Sequence, residues 1–178
     1  MAITRLGGAT AITGTIPQGN IANASLGAVT ALPGAIATGK VLQVVSASKT
    51  DTTSTTSSSY TDITGMSVSI TPSSTSNKIF TLFDINLSTS ATARNDFVRL
   101  MRDSTAIVDP INYWRLSDTT FIYNACGSFL DTPSSTSSLT FKLQWLSEGG
   151  SNTVYLNRRG DNSLRRATST ITVMEIAS

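Results

Sequence analysis

The sequence contains no histidine and a single cysteine, Cys126, among its 178 residues. Histidine is the commonest general base and a frequent metal ligand, and a lone cysteine supplies neither a structural zinc site nor a thiol–imidazole pair. We therefore expect no cofactor, no bound metal and no enzymatic activity. Cys126 lies in a strand-like run and is interpreted as a small buried apolar residue.

Charged residues are also scarce. They make up 13% of the chain, against about 25% in ordinary soluble domains. Only two residues are Glu and four are Lys, the side chains that fill exposed helix faces. Helix is therefore expected to be a minor component at most. The formal net charge of +2 is too small for the clustered positive field that nucleic-acid binding needs, so no nucleic-acid partner is expected.

Long apolar runs are missing too. No stretch approaches the roughly 18 consecutive apolar residues of a membrane span. The first twenty residues carry Arg5 as their only cation and contain no continuous apolar block. We therefore expect neither membrane insertion nor a secretory signal.

Hydroxyl-bearing residues dominate instead, since 54 of the 178 residues are Ser or Thr. From Lys40 onward, apolar-patterned runs alternate with clusters of Ser, Thr, Gly or Pro, which is typical of an antiparallel all-β domain. The pattern predicts a β-sandwich over 40–178 with about nine strands. These strands are drawn from ten candidate runs, 40–48, 60–64, 66–71, 78–88, 96–102, 105–108, 119–130, 138–147, 152–157 and 169–177. Period-two alternation predicts that Met66, Val68, Ile70, Phe141, Leu143 and Trp145 face the core.

Residues 1–39 differ from the rest of the chain. They are rich in Gly, Ala, Thr, Ile and Pro, and Arg5 is their only charge. They show no sustained period, so we predict an extended arm whose apolar side chains need surface from neighbouring chains. The residues expected to mediate oligomerisation or attachment are Ile12, Ile16, Ile21, Leu26, Val29, Leu32 and Ile36.

The junction between arm and domain contains a partial phosphate-binding motif. Residues 34–40 (GAIATGK) fit its first seven positions, but Val41 stands where the motif needs Ser or Thr. A β-patterned run follows where the motif requires a helix. We interpret the segment as a glycine-bounded hinge.

Two groups of residues are candidates for contact with a partner or a glycan. The first is an arginine cluster, Arg158, Arg159, Arg165 and Arg166, because guanidinium groups bind carboxylates and other anions with two parallel hydrogen bonds. The second is Tyr113, Trp114 and Arg115, expected in a loop where the rings would stack on a sugar. The alternatives are a solvated loop for the first group, and packing in the core or at a subunit contact for the second. The tripeptide Arg159-Gly160-Asp161 is an integrin-type motif, but three residues recur by chance.

Several longer motifs resemble a C-terminal β module of virion structural proteins from tailed bacteriophages, especially phages of aquatic bacteria. They are residues 39–45 (GKVLQVV), 59–72 (SYTDITGMSVSITP), 76–79 (SNKI), 97–103 (FVRLMRD), 128–133 (SFLDTP), 154–158 (VYLNR) and 169–176 (STITVMEI). The resemblance covers essentially 39–178. Segment 1–39, with Ile16-Pro17 and Leu32-Pro33, is similar to the attachment segments that precede such modules.

This resemblance implies a jelly-roll-type sandwich in a tail-fibre or appendage protein on the phage particle, with no catalytic residues to carry over. Together with the unburied arm, it predicts a homotrimer that contacts other virion proteins. One alternative is a capsid decoration protein that stabilises the head. A second is a module that binds host-surface glycans or a depolymerase, whose paired carboxylates sequence spacing does not test.

Overall fold

The computed structural model describes residues 40–92, 94–116 and 118–178, with the side chains of residues 94, 112–116 and 149 outside the description. The predicted arm residues, Ile12, Ile16, Ile21, Leu26, Val29, Leu32 and Ile36, lie outside the described residues, and the division at residue 39 stays a prediction.

The described part of the chain folds into ten β-strands and one short 3₁₀ helix, Glu148–Gly150. The strands are β1 (Val41–Lys49), β2 (Thr53–Thr55), β3 (Thr61–Ile70), β4 (Lys78–Thr89), β5 (Arg94–Arg102), β6 (Thr105–Leu116), β7 (Tyr123–Asp131), β8 (Leu139–Ser147), β9 (Val154–Leu156) and β10 (Ser169–Ile176). Among these residues, no helix is long and apolar enough to cross a membrane.

The strands form two antiparallel sheets that pack face to face. In the first, β1 pairs with β10, β10 with β4 and β4 with β7. The short β9 pairs with the last three residues of β4, and β2 pairs with β9. The second has the order β3-β8-β5-β6. The first sheet thus has six strands and the second four, and the eight longer strands, in the orders β1-β10-β4-β7 and β3-β8-β5-β6, form a jelly roll, as predicted.

The core lies between the two inner faces, where most of the inward-facing residues are apolar. All six residues predicted to face the core are buried. From the opposite sheet the core receives Ile79, Phe83, Ile85, Leu87, Ile171 and Val173. The period-two patterns in the sequence are therefore explained by burial of one face of each strand.

Three strands differ from their predicted bounds for identifiable reasons. The runs 60–64 and 66–71 form one strand, β3, whose register shifts between Asp62 and Ser67, where Gly65 adopts a φ of 84°. β6 continues through Pro110, which an edge strand tolerates because its outer side makes no ladder bonds. β2 lies within the Ser/Thr-rich segment between the predicted strands 40–48 and 60–64, where no strand was expected.

The sandwich has two distinct ends. At the entry end, Val41 pairs with Ile176 and Ile176 with Lys78, and the connections 71–77 and 132–138 lie beside them. At the loop end lie the connections 90–92, 118–122 and 157–168, after the last residue of β4. Because β4 has 12 residues, the two ends are about 35 Å apart at roughly 3.3 Å per residue.

Candidate binding surface

The arginine cluster is part of the connection 157–168 at the loop end, as its position between two predicted strands indicated. The guanidinium of Arg158 stacks on the ring of Tyr155, 4.2 Å from the ring centroid, and its Nε donates to the Arg159 carbonyl at 2.9 Å. The Ser88 hydroxyl donates to the Arg158 carbonyl at 2.5 Å. Arg158 also forms an isolated β-bridge with Arg166. This half of the connection is therefore held against the first sheet.

The tripeptide 159–161 is bound into the domain. Arg159 forms an ion pair with Asp161 at 3.0 Å. The Gly160 and Asp161 amides both donate to the Thr119 carbonyl, at 2.9 and 3.1 Å. A Cβ on Gly160 would collide with the Thr89 carbonyl, so the close approach requires glycine. Because its arginine and aspartate pair with each other, the integrin-type motif has no structural support.

The second half of the connection projects into solvent. Leu164 is 86% exposed. Arg165 and Arg166 are also exposed, and neither guanidinium has a hydrogen-bond or ion-pair partner among the described residues. Of the four predicted arginines, two are thus used internally and two present free guanidinium groups.

An exposed aromatic residue that was not among the predicted contact residues borders this connection. Phe121 is 59% exposed, and its ring lies 6.4 Å from that of Tyr123 in a tilted arrangement. It is only two residues from Thr119, which accepts the hydrogen bonds from the arginine connection. The predicted strand 119–130 begins too early, because Thr119 and Thr120 form a turn and β7 begins only at Tyr123, which leaves Phe121 outside the strand.

The other predicted contact group, Tyr113, Trp114 and Arg115, is not in a loop. Its backbone belongs to β6, opposite Phe97, Asp96 and Asn95 of β5. The prediction of a loop was wrong because the predicted strand 105–108 continues to Leu116. The three side chains lie outside the described part, so their proposed contact role stays a prediction.

A buried carboxylate lies near the start of β5, also toward the loop end. Asp96 is 1% exposed, and neither carboxylate oxygen has a partner that meets the hydrogen-bond criteria. Desolvation raises the pKa of Asp96 to about 7, the neighbouring Ser147 hydroxyl lowers it, and the negative charge of Glu148 raises it. At neutral pH a substantial fraction of Asp96 is therefore protonated. Sequence pattern cannot distinguish such a residue from the many Asp beside turns.

Cys126 does not match its prediction. It is exposed, because it lies at an outward-facing position of β7, opposite Asp84 of β4. The prediction rested on the apolar character of the thiol and not on strand parity. Within the ranges 40–92, 94–116 and 118–178, no group of three metal-ligating side chains is gathered.

No family model matches the sequence, and no curated protein matches it. Some solved structures are similar in strand arrangement. The VP2 subviral particle of infectious bursal disease virus has a TM-score of 0.45 at 11% identity, covering 76% of this chain and 38% of that chain. The Gx strain of the same virus gives a TM-score of 0.43 at 15% identity, with 76% and 37% covered. The PRD1 vertex protein P5 gives 0.39 at 14% identity, with 78% of this chain and all of that chain covered.

The chain thus spans little more than a third of the length of the bursal disease virus proteins. Similarity at these TM-scores does not extend to function. The jelly-roll assignment rests on the strand order of this chain itself.

Proposed function

We propose that this protein is a structural component of a bacteriophage particle, fibre-like or appendage-like, that docks through residues 1–39 and exposes its jelly roll. The observation that carries this proposal is the separation of the two ends of the sandwich. The chain enters at the end formed by Val41, Ile176 and Lys78, and the projecting arginine connection lies at the opposite end of β4. Such polarity suits a molecule anchored at one end.

The resemblance to phage appendage modules supports the same role. It extends over the described domain, where the matching runs become strands β1, β3, β5 and β10. The proposed role is non-catalytic, and the proposed assembly is a homotrimer on the particle surface, at tail or head. Attachment would come from apolar burial, because segment 1–39 contains only one charged residue.

The test is a triple substitution, Ile12→Ser, Ile16→Ser and Ile21→Ser, in the phage that encodes the protein. We expect purified particles to lose the protein, since each fully buried side chain contributes about 1.5–3 kcal/mol. Light scattering on the isolated chain should give three times 18.8 kDa for the wild type and a lower mass for the variant. A matched control places serine at exposed Leu164 instead. Unchanged incorporation of the triple variant would contradict attachment through this segment.

A second candidate, recognition of an anionic host-surface glycan, is favoured by one observation at the loop end. Arg165 and Arg166 are exposed next to the exposed side chain of Leu164, and Phe121 borders the same connection. Guanidinium groups and an aromatic face are the usual means of binding an acidic sugar. Glycan-array binding that disappears on replacing both arginines with serine would support this candidate.

A further inference from the structure

The outer face of the first sheet carries an apolar cluster that no described residue covers. The registers align Val44, Met174, Phe80 and Leu130 in one row across β1, β10, β4 and β7. Leu82 lies in the next row. Val44 is 56% exposed, Leu130 48% and Leu82 37%. We call these five residues the apolar cluster. Contiguous exposed apolar surface of this kind marks an interaction site more often than scattered exposed residues do.

The row that contains Leu82 otherwise consists of small hydroxyl residues. Ser46, Thr172, Leu82 and Ser128 are aligned across the same four strands, two residues further along β4. A row of large side chains thus lies next to a row in which three of four side chains are small. Such a surface interlocks with a reversed copy of itself, because the large row of each copy meets the small row of the other.

The charges on this face are arranged with the same symmetry. On this face β4 carries the exposed Lys78 on one side of the cluster and the half-buried Asp84 on the other, each three residues from Thr81 at the centre. Asp84 Oδ1 accepts from the Asn124 and Asn86 amides, at 2.6 and 3.3 Å, and its charge stays uncompensated by these neutral groups. A two-fold axis in the plane of the interface, perpendicular to the strands at Thr81, sets Lys78 of each copy against Asp84 of the other. The same operation sets Phe80 against Leu82. Strands aligned in parallel would instead bring like charges together.

We propose that this face binds a second copy of the same chain in an antiparallel, face-to-face arrangement. The contact is separate from the three-fold association proposed for segment 1–39, and it does not depend on that association. Four strands about 4.8 Å apart and seven residues of β4 give a face of roughly 300–400 Å². This is below the roughly 800 Å² per partner of a stable complex. The contact is therefore weak in solution and becomes populated where copies are concentrated on a particle.

Charge reversal tests the proposal with the full-length chain. The variants are Lys78→Asp, Asp84→Lys and the double reversal, followed by sedimentation equilibrium from about 10 µM to 1 mM, the range of a weak contact. We expect the wild-type mass to rise with concentration. Each single reversal replaces two attractive pairs with two repulsive ones and should weaken this association about tenfold. The double reversal restores the attraction and should restore the association.

The matched control is Lys142→Asp, the same substitution on the outer face of the second sheet, where Lys142 pairs with Asp62. It should leave the concentration dependence unchanged. Oxidative footprinting of Met174 provides a second readout, because protection should appear only as concentration rises. Three results would overturn the proposal: a constant wild-type mass, a double reversal that fails to recover, or protection of Met174 already in dilute solution. The last result would assign the face to segment 1–39 or to another occupant.

Discussion

Two carboxylates that are each 1% exposed, Glu175 and Asp96, lie toward opposite ends of the jelly roll and differ in their hydrogen bonding. At the entry end, Glu175 is 1% exposed and accepts hydrogen bonds from Gln43, Ser73 and Asn77 at 2.6–2.7 Å. Toward the loop end, Asp96 is equally buried and its oxygens accept no bond that meets the same criteria. Burial alone therefore does not determine how a carboxylate behaves.

The pKa values reflect this difference. Desolvation acts to raise the pKa of Glu175, but the bonds from Asn77, Gln43 and Ser73 outweigh it and hold the pKa at about 2. For Asp96, desolvation dominates and the pKa is about 7. Glu175 connects β1, β10 and the connection 71–77, so the entry end is locked where the chain enters. The loop end is held by an uncharged side chain instead: the buried Asn157 amide donates to the Lys49 and Asp51 carbonyls and accepts from the Ser169 hydroxyl.

The largest effect is expected for Glu175→Ala. The substitution leaves the amide groups of Gln43 and Asn77 and the backbone amide of Ser73 without their acceptor, so unfolding free energy should fall by about 4 kcal/mol. Chemical denaturation at neutral pH measures this change. Glu175→Gln keeps one carbonyl acceptor and should lose less. A loss below about 1 kcal/mol for the alanine variant would show that the entry end is not held by this residue.

An intermediate effect is expected for Asp96→Asn, and its sign depends on pH. Because folding raises the pKa of Asp96 from 3.8 to about 7, the folded state binds the proton more tightly. The contribution of Asp96 to stability is complete below pH 3.8 and is lost as pH rises toward about 7. The slope is at most about 1.4 kcal/mol per pH unit. The asparagine variant should lack this slope. Above pH 7 it should be more stable than the wild type by about 2 kcal/mol, less than the roughly 4 kcal/mol of the full pKa shift, because the buried asparagine amide also lacks partners.

Glu175 provides the opposite slope as an internal control. Its lowered pKa means that its contribution is complete above 4.5 and is lost as pH falls toward about 2. Denaturation curves for both variants across this pH range separate the two groups. If Asp96→Asn showed the same pH dependence as the wild type between pH 4 and 7, the Asp96 carboxylate would not be titrating in the folded protein.

The smallest effect on stability is expected at the loop end. Replacing Arg165 and Arg166 with serine removes two exposed side chains, so the unfolding free energy should change by less than about 0.5 kcal/mol. Arg158→Ala is the matched comparison, since it removes the stack on Tyr155 and should cost about 1 kcal/mol. Equal losses in the two variants, measured by thermal unfolding, would mean that the two halves of the connection do not differ as described.

The sequence predicted the features that depend on local periodicity. Met66, Val68 and Ile70 alternate with serines, and burial of one strand face accounts for that pattern. It also predicted the arginine connection, because four arginines stand between two strand patterns. By contrast, the predicted strand 105–108 is shorter than β6, which continues through Pro110 because it is an edge strand. Edge position is a property of the assembled sheet and is not visible in local pattern.

Other features escaped prediction because they depend on contacts between distant residues. Asp96 is buried because it lies at an inward-facing position of β5, opposite Ser147 of β8. Glu175 and Asn77 are 98 residues apart in the chain. The apolar cluster depends on the registers of four strands, β1, β10, β4 and β7, which are neighbours in the sheet but not in the sequence. Single-strand patterns give only the parity of each residue.

The central claim, that the entry end faces the particle and the loop end faces away, is tested most directly by antibody labelling of intact particles. One epitope tag is inserted between Ser163 and Leu164 at the loop end, and another between Thr136 and Ser137 at the entry end, both at exposed positions. The account predicts that antibody binds the loop-end tag on intact particles, while the entry-end tag becomes accessible only after the particles are disassembled. Accessibility in the reverse order, or particles that lose the protein tagged at the loop end, would contradict it.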